Sequence, residues 1–114
     1  MCRLEKTNTV VAVKKLIYNK DYKTRELMIH REMHHQNIVR MRDAYFVKQK
    51  KKSGKSQVNI VMDYIPFNVH RTIKHFRDLK QKTHPLLVKL YTYQLLRGLN
   101  YLAKKNVMHR DIKP

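Results

Sequence analysis

The stretch over residues 86–105, LLVKLYTYQLLRGLNYLAKK, constrains the fold of this chain more than any other. Pro85 stands at its start, where a missing N–H costs no hydrogen bond, and Thr83 or His84 can cap the first turn. The spacing predicts one long helix. Val88, Tyr91, Leu95, Leu99 and Leu102 fall on one face, and Leu87, Leu90 and Leu96 widen that face beyond a single stripe. Such a helix expects protein on most sides, and the elements before it are too few to cover it.

Those elements alternate between strand and helix patterns. Residues 9–18, TVVAVKKLIY, are dense in β-branched side chains and read as a strand, the second arm of a hairpin that begins near Arg3 and turns at Asn8. Residues 21–34, DYKTRELMIHREMH, hold no Gly or Pro and space Leu27, Met28 and Met33 as a helix would. The segment QNIVRMRDAYFV turns extended again. Two apolar stretches, YFV and VNIVMDYI, flank KQKKKSGKSQ, where Ser53-Gly54 can reverse a strand hairpin. Lysines 48, 50, 51, 52 and 55 on that reversal read as a solvated tip, because the aromatic interleaving that stacks single-stranded nucleic acid is absent. Pro66 breaks the chain, and residues 67–79, FNVHRTIKHFRDL, read as a short polar helix.

At 114 residues the chain is one ordinary domain at most. Its 26 Lys and Arg against 8 Asp and Glu give a formal charge of +18, which invites phosphate-bearing partners. A nucleic-acid binder, a membrane-surface protein and a phosphotransfer enzyme all manage anionic oxygen. Cys2 is the only cysteine, so no intrachain disulfide can form, and a reducing compartment, cytosol or nucleus, is expected. No apolar run is long enough to cross a membrane, and the N-terminus lacks the apolar core of a secretory signal. Glycine occurs only at Gly54 and Gly98, so the chain has no Gly-rich phosphate cradle.

His30 and His34, four apart on the predicted helix with His35 adjacent, could point at one metal ion. Glu32 stands between them rather than directly after the first histidine, as the zinc-protease pattern requires, and no third ligand is evident. Packing or surface roles are the simpler reading of these histidines.

Lys14 in VVAVKKLI and Glu26 in KTRELMI can meet as an ion pair if the helix folds back on the buried face of the strand. Each alone is an ordinary surface residue. Joined in the same order to His109-Arg110-Asp111-Ile112-Lys113-Pro114, they resemble the signatures of eukaryotic protein kinases. The segments VAVKK, KTREL, NIVRMR, VMDYIP, VKLYTYQLLRGLNYL and HRDIKP together resemble the shaggy, or glycogen synthase kinase 3, branch of the CMGC serine/threonine kinases. The resemblance runs from about Cys2 to Pro114. It implies an α+β fold: over about residues 1–65 part of a small-lobe antiparallel sheet with its helix, and over about 66–114 the first helices of a large lobe, ending at the catalytic loop.

The resemblance also implies roles. Lys14 would hold the α and β phosphates of ATP, with Glu26 fixing its position, and Ala12 would form part of the adenine roof. Met62 takes the gatekeeper position, while the Asp63 carbonyl and the Ile65 N–H would bond adenine. Asp111 matches the catalytic base, and Lys113 would neutralise charge on the transferred phosphoryl group. Arg25 and Arg110 match a pocket for a phosphate already present on the protein substrate. Two positions depart from the pattern. Phe67 replaces an acid at the edge of the nucleotide pocket, and His30 replaces an apolar residue of the hydrophobic spine.

Mg²⁺ is implied together with ATP, its ligands expected beyond Pro114; the Gly-rich loop would precede Met1. The expectation is a 114-residue chain without transfer activity by itself. Three readings stand in order: a serine/threonine kinase acting on proteins already phosphorylated, with signalling scaffolds as further partners; a truncated, non-catalytic scaffold or decoy; and a basic nucleic-acid binder, which no motif requires.

Overall fold

The computed structural model describes residues 2–5, 7–18, 25–48 and 56–114. The lysine-rich reversal and the start of the expected helix at 21–24 lie outside the described residues. Two compact units are present: Met1–His34 with Ile38–Tyr64, and His35–Asn37 with Ile65–Pro114. The architecture is α+β.

The first unit contains β1 (Cys2–Arg3), β2 (Val10–Tyr18), α1 (Arg25–Arg31), β3 (Met41–Lys48) and β4 (Ser56–Asp63). These strands form one antiparallel sheet in the order β1-β2-β4-β3. The hairpin joining β1 to β2 turns where the sequence indicates. Asn8 takes a left-handed φ of 53°, which asparagine tolerates, and its Oδ1 accepts from the Arg3 guanidinium at 3.1 Å. β4 lies between β2 and β3, so Val58, Asn59, Ile60 and Val61 are all buried instead of alternating in and out. Asn59 is tolerated there because its Oδ1 accepts from Gln57 Nε2 at 2.6 Å. The β3–β4 register slips between Met41 and Asp43, which leaves Arg42 out of step with its partner strand.

The helix expected over residues 21–34 ends earlier, at Arg31. Glu32 and Met33 donate to the carbonyls of Ile29 and His30, three residues back, and this tighter turn leads the chain out of the helix. His34 therefore lies past the helix end, and the four-residue alignment with His30 considered for a metal does not form.

In the second unit, α2 (Val69–Asp78) begins at Asn68, whose Oδ1 accepts the Arg71 N–H at 2.8 Å. It ends in a left-handed Lys80, with Gln81 N–H returning to the Phe76 carbonyl. α3 (Pro85–Lys104) is capped by His84, whose Nδ1 accepts the Leu86 N–H at 3.2 Å. Its far end closes in the same way as α2, with Asn106 left-handed and Val107 N–H bonded to the Leu102 carbonyl.

The covered face of α3 keeps part of the one the leucine spacing suggests, with Tyr91 and Leu99 half-buried. Gly98 and Leu102 are buried, whereas Val88 and Leu95 are exposed, as are Leu86, Leu90 and Leu96. Backbone packing covers the Gly98–Leu102 part. A Cβ on Gly98 would lie 3.0 Å from the Asn37 carbonyl oxygen, and the His35 ring stacks on Tyr101 with centroids 4.9 Å apart. The segment His35–Asn37 thus lies against α3 where a side chain would hold it off.

Gly98→Val is expected to lower stability by about 1–3 kcal/mol, the usual cost of forcing atoms into a packed contact, measured as a fall in the urea midpoint. Gly98→Ala should do much less harm, because alanine returns about 1 kcal/mol of helix propensity. An unchanged midpoint for the valine variant would mean that the Asn37 segment yields freely.

Candidate active site

Within the first unit the register decides which side chains share a face. Ala12 pairs with Met62, Lys14 with Ile60 and Leu16 with Val58, so Ala12, Met62 and Lys14 lie on one side of the sheet. α1 supplies a carboxylate to that side, and Lys14 Nζ donates to Glu26 Oε1. The lysine is less buried than the sequence suggests. Its side chain is 48% exposed and that of Glu26 49%, so the pair contributes about 0–1 kcal/mol to stability. Its physical effect is orientation. A four-carbon stem that would otherwise sample many rotamers is held to one direction by the carboxylate.

Asp63 closes β4 and is fixed in two ways. Its N–H donates to the Arg40 carbonyl at 3.1 Å, and its carboxylate accepts from Arg42 Nε. The sequence did not reveal this second contact, because strand alternation assigns Arg42 a place in the ladder. The register slip removes it from the ladder and aims it at Asp63. Arg25 is the first residue of α1 and is exposed. His30, on the same helix, places Nε2 2.7 Å from the Val39 carbonyl oxygen.

In the second unit, Ile65 follows β4 outside any regular element, and its N–H has no hydrogen-bond partner among the described residues. Phe67 is exposed nearby in sequence. At the far end of this unit, Arg110 holds a left-handed φ of 65°, a conformation that costs an L-residue energy and recurs at functional sites. The Asp111 N–H donates to His109 Nδ1 at 3.2 Å, and Lys113 Nζ donates to Asp111 Oδ2 at 2.7 Å. His109 thereby braces the turn that presents the Asp111 carboxylate.

The electrostatics of this turn favour an anion. The hydrogen bond from Lys113, then its charge, and last the nearby His109, hold the Asp111 carboxyl below its ordinary value against a small opposing desolvation. An ionised carboxylate beside an ammonium can accept a hydrogen bond from a hydroxyl while the cation offsets negative charge appearing close by. Histidine does comparable local work elsewhere: His35 Nδ1 and His84 Nδ1 each accept the N–H two residues on.

Among the described residues, no group of three or more His, Cys, Asp or Glu side chains is placed to hold a metal ion, and no helix is long and apolar enough to cross a membrane. The family model described as protein kinase domain matches residues 1–114, the length of the chain.

Proposed function

The chain belongs to the protein kinase family, and from that premise we propose that its residues serve an ATP-dependent serine/threonine kinase of shaggy, or glycogen synthase kinase 3, type. Its substrates are proteins that already carry a phosphate. The observation that supports this reading best is the Lys14–Glu26 pair on the sheet face shared with Ala12 and Met62. An ammonium held by a carboxylate has a fixed direction from which to meet the α and β phosphates of a nucleotide.

ATP fits the residues present, because Glu26 orients Lys14 and the Ile65 N–H remains available to an adenine edge. When bound, ATP supplies the γ-phosphoryl group. Ala12 and Met62 offer apolar surface to the base, and the Asp63 carbonyl and Ile65 N–H bond its edge. Asp111 receives the hydrogen bond of a serine or threonine hydroxyl and takes its proton as oxygen bonds to phosphorus and the bond to the ADP oxygen breaks. Lys113 offsets the charge on the moving group. Mg²⁺ is implied with the nucleotide and would supply the positive charge that its β and γ phosphates need; among the described residues no group of three or more His, Cys, Asp or Glu side chains is placed to hold it. Arg25 and Arg110 each offer a guanidinium to a phosphate already on the substrate. The protein works in the cytosol or nucleus, without membrane or nucleic acid as partner.

The test uses protein isolated from cells that express it, so that the polypeptide carrying these residues in life is assayed. A peptide bearing one phosphoserine is expected to accept phosphate from ATP about tenfold faster than its unphosphorylated twin, with Arg25→Ala reducing the preference. Equal rates would remove the primed substrate, and transfer to tyrosine would remove the serine/threonine assignment. A second reading, a non-catalytic kinase-like scaffold, draws on the exposed leucines of α3. It predicts no transfer and co-purification of a bound partner.

A further inference from the structure

Glu26 and His30 stand four residues apart on α1, one turn, and so share a face. The His30 Nε2 atom lies 2.7 Å from the Val39 carbonyl oxygen. A carbonyl has no proton to give, so the ring must present Nε2–H. Val39 directly precedes Arg40, whose carbonyl accepts the Asp63 N–H, and Arg42 then reaches the Asp63 carboxylate. One short segment therefore receives α1 on one side and the end of β4 on the other.

We infer that His30 is a positioning residue, which ties α1, and with it Glu26 against Lys14, to the segment that also fixes the end of β4. The helix needs such a tie. None of the residues Arg25–Arg31 is buried, and a helix draws most of its stability from packing of a buried face. Glu26 fastens its first turn through Lys14, and His30 fastens its last through Val39. An apolar side chain here would act through shape alone, while the imidazole fixes direction by a hydrogen bond. The effect of the tie on nucleotide binding rests on the function proposed above; the tie itself does not.

Two variants separate bond from shape. His30→Leu keeps bulk and removes the donor, and His30→Gln restores an N–H that can reach the Val39 carbonyl. Amide hydrogen exchange of the protein is expected to quicken roughly five- to tenfold over α1 in H30L, and to return near the original rate in H30Q, with Val58–Val61 unchanged in both. MgATP affinity should fall in H30L and recover in H30Q by a similar factor. Unaltered α1 exchange in H30L, equal effects in both variants, or uniform quickening through β4 would each overturn the inference. If the unmodified protein fails to bind MgATP, the nucleotide reading fails, while the exchange result still decides the role of His30.

Discussion

In the protein isolated from cells that express it, Asp111→Asn is expected to slow phosphoryl transfer about 10²–10⁴-fold, the range for losing a positioned acid–base group, with MgATP affinity changed by less than about twofold. The asparagine keeps the size of the side chain and can still accept from Lys113, so the loss isolates the negative charge that receives the hydroxyl proton. The pH dependence adds a second reading of the same carboxylate. Lys113, by hydrogen bond and by charge, lowers its proton affinity, so the active anion persists below the ordinary aspartate range and is lost only as pH falls through that lowered value. Lys113→Met should therefore shift the acid limb of the rate profile to higher pH as well as reduce the plateau. A D111N variant with undiminished transfer, or an acid limb that stays in place in K113M, would assign the proton to another group.

Lys14→Met should lower kcat/KM about 10²–10³-fold, the cost of removing one preorganised charged donor from a phosphate site. The same substitution should leave the urea midpoint where it was, because both members of the pair are half-exposed and such pairs hold a fold together only weakly. Glu26→Gln should produce a smaller loss, since the ammonium remains but is less firmly directed. The contrast between activity and stability is the informative result. If K14M unfolds the protein and activity falls only in proportion, Lys14 is a packing residue, and the nucleotide reading loses its main support.

How much of this site could be read from the chain differs by residue. The HRDIKP segment is local: His109, Asp111 and Lys113 interact two residues apart, so their order nearly settles their geometry. Lys14 and Glu26 lie on separate elements, yet a strand followed by a short helix allows few return paths, and the pair was expected and forms. Arg42 with Asp63 was not legible, because the contact depends on a slip between β3 and β4 that strand alternation does not signal. Nor was the bond from His30 to Val39, which spans a helix end, a turn and the approach to a strand.

The sequence by itself determined which segments form strands and which form helices. Pro85 starts the long helix, Asn8 turns the first hairpin, and β-branched runs make the strands, all through interactions within a few residues. Only the tertiary structure decided which faces are used. Placing β4 between β2 and β3 buries four consecutive residues that periodicity alone would divide between inside and outside. Packing the Asn37 backbone on Gly98 covers one part of α3, while Val88 and Leu95 of its expected face stay exposed. Burial depends on what approaches from elsewhere in the chain, and a local pattern states only what an element can offer.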